Sequence, residues 1–162
     1  MKRIGIIGAG ASGLYAAINI NKENDITILE KNKSIGKKIL MTGNGRCNIT
    51  NASFYDDFLD NIMTNKKFMY SSFTSHDNYS SMEFFESHGL DLVTEEENRV
   101  FPKSQRASDV VKFYEDELIK RNIKLVTEAQ VLNIKKDEVF KVETQARIFE
   151  FDILIVATGG LS

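Results

Sequence analysis

Six residues near the start, Gly8-Ala9-Gly10-Ala11-Ser12-Gly13, restrict what this chain can fold into more than any other segment. They follow a short β-branched run, Ile4-Gly5-Ile6-Ile7, and precede a helical stripe of Leu14, Ala17, Ile18 and Ile20. A second apolar run over 25–29 ends at Glu30. Strand, tight turn, helix and strand within about 30 residues form a right-handed βαβ unit, the start of a doubly wound sheet. In that setting Gly8 permits the turn, Gly10 lets a pyrophosphate approach a backbone without a Cβ, and Gly13 lets the helix pack close to the sheet. The helix then opens, at Ala11 and Ser12, with unpaired N–H groups and a positive dipole end facing the anion. Glu30 lies 17 positions beyond Gly13. A carboxylate there can accept hydrogen bonds from both ribose hydroxyls of an adenosine and repels a 2′-phosphate, which disfavours NADP. The competing reading is that the glycines only make a turn and Glu30 only faces water.

The rest of the composition narrows the class. The chain has 162 residues, one domain's worth, with 42% hydrophobic and 27% charged residues, as in an ordinary soluble globular protein. Twenty-one Lys and Arg against 23 Asp and Glu leave a net charge of -2, so no global basic field draws the chain to nucleic acid or anionic membrane. No apolar run approaches the roughly 18 residues of a membrane span. Met1-Lys2-Arg3 before an apolar stretch superficially resembles a secretory signal, but four glycines at 5, 8, 10 and 13 would weaken its helix. The single cysteine, Cys47, has no intrachain partner, and with two histidines it makes no recognisable metal site. A reducing cytoplasm is the expected compartment.

Downstream, residues 34–50 lose periodicity and read as a basic loop. Helices are expected over 54–75, with a second one inside that range around 66–73. A further helix is capped by Ser80 or Ser81 and closed by Gly89. Short strands follow at 90–93 and 99–101, ending at Pro102. Ser108 or Asp109 caps an amphipathic helix that Asn122 closes, and 123–126 is the third parallel strand. The runs 131–134, 139–142 and 148–151 alternate, as in an antiparallel meander. Residues 153–157 are apolar without alternation, which predicts a strand covered on both faces.

Three further segments carry chemistry. Lys37-Lys38 and Gly43-Asn44-Gly45-Arg46-Cys47-Asn48 form a second glycine-rich loop after the ribose acid, able to bring N–H groups and an arginine to the far end of a long dinucleotide such as FAD. Asn44-Gly45 is equally a hairpin signal, and the lysines equally solvated charge. Ala157-Thr158-Gly159-Gly160 follows a sheet strand, where ligands of doubly wound sheets lie, though a simple turn also fits. His76 and His88 sit in amphipathic helices without an assigned role. Cys47 has no neighbouring histidine to activate it and is expected to pack against a cofactor ring. No side chain stands out as a catalytic acid or base; Arg46 is a candidate to stabilise reduced flavin.

Segments 38–51 (KILMTGNGRCNITN), 99–111 (RVFPKSQRASDVV) and 157–162 (ATGGLS) together resemble the signature blocks of the YhiN/BaiN-type, aminoacetone oxidase-like NAD(P)/FAD-dependent oxidoreductases. The resemblance implies an α/β, glutathione-reductase-like FAD-binding domain of Rossmann type, a parallel sheet with an antiparallel β-meander. It places Gly8 to Gly13 on the pyrophosphate and Glu30, with Lys31 beside it, on the adenosine ribose. Lys38, Thr42, Gly43, Asn44, Gly45, Arg46, Cys47 and Asn48 are then expected along the flavin half, Val131 at the adenine, and Ala157, Thr158 and Gly159 beside the cofactor. Members of the family run to about 400 residues, a multi-domain size. Residues 1–162 are therefore expected to be the N-terminal part of a discontinuous FAD domain, lacking an inserted substrate domain and a last FAD-binding strand. Strand 153–157 would then be an exposed apolar edge, with poor solubility. The expected cofactor is FAD, with NAD(P)H as a transient reductant. The substrate is a small molecule or nucleobase reached through the missing domain, and the isolated chain is expected to be inactive. The alternatives are an NAD-binding dehydrogenase fragment and a non-catalytic nucleotide-binding module.

Overall fold

The computed structural model describes residues 1–160. In chain order the elements are β1 (Arg3–Ile7), α1 (Ala11–Asn19), β2 (Asp25–Leu29), α2 (Lys37–Met41), β3 (Thr50–Asn51), α3 (Tyr55–Asp60), α4 (Lys66–Ser75), α5 (Asn78–Ser87), β4 (Leu92–Thr94), β5 (Arg99–Pro102), α6 (Ala107–Lys120), β6 (Lys124–Val126), β7 (Val131–Lys136), β8 (Phe140–Thr144), β9 (Ile148–Phe151) and β10 (Ile153–Val156). They fall into two compact units, Met1–Ile39 with Val111–Ser162 and Leu40–Val110.

The first unit holds a four-stranded parallel sheet in the order β10-β1-β2-β6. Ile4 is paired with Ile26 on one side and Ile153 on the other. Ile4, Ile6 and Ile7 of β1 are buried, as are Ile26, Ile28 and Leu29 of β2, the pattern of strands covered on both faces. α1 presents Gly13, Leu14, Ala17 and Ile18 to the interior. The predicted stripe stops there, because Ile20 is already extended at the helix C-cap. β7, β8 and β9 form the expected antiparallel meander. Its inner residues Val142 and Phe151 join Ile7, Leu29 and Ala129 in one core cluster, against which Val131 packs. Gly5 is a packing glycine, since a Cβ there would lie 2.3 Å from the Phe151 ring. α6 ends as its sequence predicts: Asn122, at φ +55°, closes it, and Ile123 N–H reaches back to Leu118 O at 2.9 Å.

β10 separates two expectations, a strand covered on both faces and an exposed apolar edge. Ile153 is 43% and Val156 63% exposed, because among the described residues β10 pairs only with β1. The unbroken apolar run is therefore the exposed edge that the resemblance implies, not the doubly covered strand that its lack of alternation predicts.

The second unit contains a short antiparallel sheet, β3-β5-β4, with α3, α4 and α5. Phe58 of α3 stacks on Phe73 of α4 at 4.6 Å, so the apolar stretch 54–75 folds as two helices. α5 starts earlier than expected: Asp77, not Ser80 or Ser81, is its cap and accepts from the Ser80 N–H at 2.7 Å. Gly89, at φ +93°, ends it as predicted, with Leu90 N–H bonded to Phe85 O. α6 likewise begins at Ala107, ahead of Ser108 and Asp109; Asp109 instead accepts from the Arg106 guanidinium at 3.0 Å. The stretch read as loop contains α2 and a 3₁₀ turn over Thr42–Gly45.

Candidate dinucleotide-binding site

In the first unit the three glycines of the opening turn divide into two kinds. Gly8 has φ +106°, and a Cβ on it would lie 2.4 Å from Ala157 O. A Cβ on Gly13 would lie 2.0 Å from Gly8 O. Both are required by the protein's own packing. Gly10 is not: a Cβ there would meet nothing within 4 Å, and its backbone is extended at φ -86°. Gly10 is also the N-cap of the nine-residue α1, where no side chain caps the N–H groups and no acidic residue lies in the first turn. The start of α1 therefore offers uncompensated donors over open space, a cradle that fits a diphosphate.

Glu30, 7% exposed, sits under this turn. Its Oε2 accepts the Ala9 N–H at 2.8 Å, while Oε1 accepts the Asn32 N–H at 2.8 Å and Asn32 Nδ2 at 2.6 Å. A carboxylate has about four acceptor positions, so about one stays open after these three bonds. Glu30 is thus a strut for the glycine turn, and Oε2, which accepts one bond, is the oxygen with room for a further donor. Asn32, which the sequence reading passed over, orients the acid; an Asn two residues after Glu30 is too common a local pattern to have flagged it.

The end of β10 comes to the same turn. Ala157 N–H bonds to Ile7 O at 2.8 Å, and Gly159 adopts φ +76°. Lys38 donates from Nζ to Gly160 O at 3.4 Å. The first unit therefore brings Gly8, Gly10, Gly13, Glu30 and Ala157 together and ties Lys38 to the loop that carries Thr158 and Gly159. Val131 contributes its side chain to the core cluster. Lys31 lines an open depression beside Asn32.

In the second unit, Thr42 to Asn48 form a tightly wound loop. Gly43, Asn44, Gly45 and Cys47 all have positive φ, between 55° and 83°. A Cβ on Gly43 would lie 2.7 Å from Asn48 N. Asn44-Gly45 is thus not a hairpin turn. Such a concentration of left-handed backbone is the strain that recurs at functional loops. Arg46 is held from below: Nη1 donates to Glu95 Oε2 at 2.9 Å and Gln105 Oε1 at 3.0 Å, and the guanidinium lies 4.0 Å from the Phe101 ring centroid. Gln105 Nε2 closes the ring onto Glu95 at 3.0 Å. Its charge is therefore already balanced within this unit. Neither Glu95 nor Gln105 was legible, since they lie 49 and 59 positions from Arg46. Asn48 directs its amide nitrogen to Thr50 O and Val100 O. Cys47 is buried, and burial raises its thiol pKa against an opposing hydrogen bond with Thr42, so it is not an activated nucleophile. Among the described residues no cluster of His, Cys, Asp and Glu is arranged to hold a metal, and no helix is long and apolar enough to cross a membrane.

A parallel sheet in this order, with a glycine turn between β1 and α1 and an acid at the end of β2, defines the class of Rossmann-type α/β domains. The chain belongs to the HI0933-like protein Rossmann domain family, which matches residues 2–162 and bears out the resemblance in the signature blocks. It is 37% identical to the 3-dehydro-bile acid delta(4,6)-reductase of Clostridium scindens, over 99% of this chain and 39% of that protein. It is 31% identical to the ribosomal RNA dihydrouridine synthase of Haemophilus influenzae, over 97% of this chain and 40% of that protein. The chain thus spans about two-fifths of the length of these curated relatives. Among solved structures, Thermovibrio ammonificans THI4 superposes with a TM-score of 0.63 at 12% identity, covering 98% of this chain and 57% of that one. At that identity the likeness is one of fold.

Proposed function

We propose that this chain is the FAD-binding portion of a flavin-dependent oxidoreductase. The observation that carries the reading is Gly10, a glycine that neither backbone conformation nor neighbouring protein atoms require, at the uncapped start of α1. A ligand group that must approach the main chain accounts for it. Gly8 and Gly13 shape the turn, Ala11 and Ser12 donate N–H groups to the diphosphate, and Glu30 accepts a ribose hydroxyl on Oε2. The loop from Thr42 to Asn48 and the segment Ala157 to Gly159, with Lys38, serve the remainder of the dinucleotide, and Lys31 and Val131 the adenosine end. When bound, FAD supplies the hydride chemistry.

The relatives' names, a bile-acid reductase and a ribosomal RNA dihydrouridine synthase, support a small-molecule or nucleobase redox substrate. NAD(P)H as the transient reductant is proposed from the family resemblance alone. Because the chain spans two-fifths of those relatives, the substrate-binding groups are assigned to polypeptide beyond this sequence, and the chain alone is inactive in turnover. A single buried cysteine without a disulfide partner supports a cytoplasmic setting.

The test is a calorimetric titration of the purified chain with FAD, NAD and NADP, alongside the visible spectrum of protein from riboflavin-replete cells. FAD binding that Gly10→Ala weakens supports the reading. A colourless protein that takes NAD and ignores FAD replaces it with the NAD-binding alternative.

A further inference from the structure

We propose that Glu95 is a positioning residue that cancels the charge of Arg46, so that the loop over 42–48 offers the flavin N–H donors without a net positive charge and keeps its reduction potential low. This rests on the FAD reading above, which gives that loop the remainder of the dinucleotide. It reverses the role that sequence alone suggests for Arg46, a counter-charge for reduced flavin.

Within the second unit the cancellation is organised by one strand. β5 supplies the buried Phe101, whose ring centroid lies 4.0 Å from the Arg46 guanidinium. At the first residue of β5, Arg99 O accepts the Glu95 N–H at 2.8 Å, and at its last, Pro102 O accepts the Gln105 N–H at 2.8 Å. Both partners of Arg46 are thereby tethered to the strand that carries its stacking ring. Glu95 receives Arg46 Nη1 on both oxygens, at 3.2 and 2.9 Å. Gln105 joins the two, accepting Nη1 on Oε1 at 3.0 Å and donating Nε2 to Glu95 at 3.0 Å. Gln105 has φ +59° in doing so, a left-handed backbone that a non-glycine residue keeps only where its surroundings hold it.

All of these bonds fall on Nη1. Among the described residues Nε and Nη2 donate to nothing, and the side chain is 35% exposed. A guanidinium carries its N–H donors in a rigid planar fork, so Phe101 and Glu95 fix the direction of the free nitrogens without using them. They can donate to a ring carbonyl or ring nitrogen, while the charge behind them is met by a carboxylate at 2.9 Å. Charge and hydrogen bonding act differently on a flavin. Two electrons and one proton turn its neutral oxidised ring into an anion. A net positive charge nearby favours that anion and raises the potential, whereas charge-compensated donors bind both forms. Glu95 removes the first effect and preserves the second.

The experiment measures the two-electron potential of the FAD-loaded chain by reductive titration against a reference dye, with a chemical reductant supplying the electrons. The variants are Glu95→Gln, Arg46→Gln and the two combined, with Glu96→Gln as a control, and thermal melting verifies folding. Glu96 is an exposed carboxylate of the same loop whose side chain has no partner among the described residues, so its substitution removes the same charge without touching Arg46. Glu95→Gln leaves Arg46 positive and is expected to favour reduced over oxidised FAD by about tenfold, a rise of about 30 mV. Arg46→Gln leaves Glu95 negative and lowers the potential, the combined variant returns it to the wild-type value, and Glu96→Gln leaves it unchanged. A Glu95→Gln potential at or below wild type overturns the proposal, as does a Glu96→Gln shift of equal size. A combined variant that stays as low as Arg46→Gln also overturns it and makes Arg46 the counter-charge. If Glu95→Gln does not fold, the combined variant against Arg46→Gln decides. A chain that takes up no FAD defeats the FAD reading and this one with it; FAD uptake with unshifted potentials defeats this one alone.

Discussion

At the scale of single residues, the glycines of the opening turn separate stability from binding. Gly8→Ala places a Cβ against Ala157 O on a backbone at φ +106°, so it is expected to destabilise the fold by about 1–3 kcal/mol, read as a lower urea midpoint. Gly10→Ala meets no protein atom and is expected to change stability by less than about 0.5 kcal/mol, while FAD affinity falls by about 1–3 kcal/mol through diphosphate bonds that no longer form. If Gly10→Ala unfolds the chain and spares binding, the division is wrong. Cys47 gives an independent check on its loop. A buried thiol with a raised pKa alkylates more slowly at pH 8 than free cysteine, and gains normal reactivity only when denaturant opens the structure. The sequence showed where these residues lie because a glycine turn is a local event. It hid Asn32, Glu95 and Gln105, whose roles arise from hydrogen bonds that only the folded chain brings about.

At the scale of elements, helix ends were more legible at the C-terminus than at the N-terminus. Gly89 and Asn122 were found because a left-handed residue closing a helix admits few side chains. The starts were misplaced because Asp77, Ser80 and Ser81 are all good caps, and only the backbone decides which of them stands outside the helix. Asp77→Ala is therefore expected to destabilise the chain by about 1 kcal/mol, whereas Ser81→Ala changes little. Comparative chemical denaturation of the two variants checks the assignment. The junction of β1 with β10 adds a pH signature. Asp152 Oδ1 accepts from Arg3 Nη2 at 3.0 Å and Oδ2 from the Arg3 N–H at 2.7 Å, which lowers the Asp152 pKa to about 2. A depressed carboxyl stabilises fully above its unfolded value of about 3.9 and loses that contribution as pH falls through about 2. Wild-type stability thus drops between roughly pH 4 and pH 2 more steeply than that of Asp152→Asn, and equal slopes in acid urea titrations would refute the link.

At the scale of the whole molecule, the class of fold was readable because β1, the glycine turn, α1 and β2 are contiguous and each has its own periodicity. The fate of β10 was not readable from its own residues, since an apolar run has the same composition whether a sheet covers it or leaves it at the rim; the exposed edge was expected only from the resemblance to a longer family. The two rims of the parallel sheet now differ. β6 exposes Lys124, engaged with Asp25, a charged residue of the kind that blocks edge pairing. β10 is Ile153-Leu154-Ile155-Val156, with no charge, and among the described residues its outer backbone groups have no strand to bond. Unpaired N–H and C=O groups on a flat apolar edge are a template for another strand. The 162-residue chain is therefore expected to self-associate as its concentration rises, with a sedimentation-derived mass climbing above the monomer value. Val156→Lys, at a position 63% exposed, puts a charge on that rim without entering the core and is expected to restore the monomer. Self-association that persists unchanged in Val156→Lys would assign the contact to a different surface, and a wild-type chain that stays monomeric at every concentration would show that the edge is already protected.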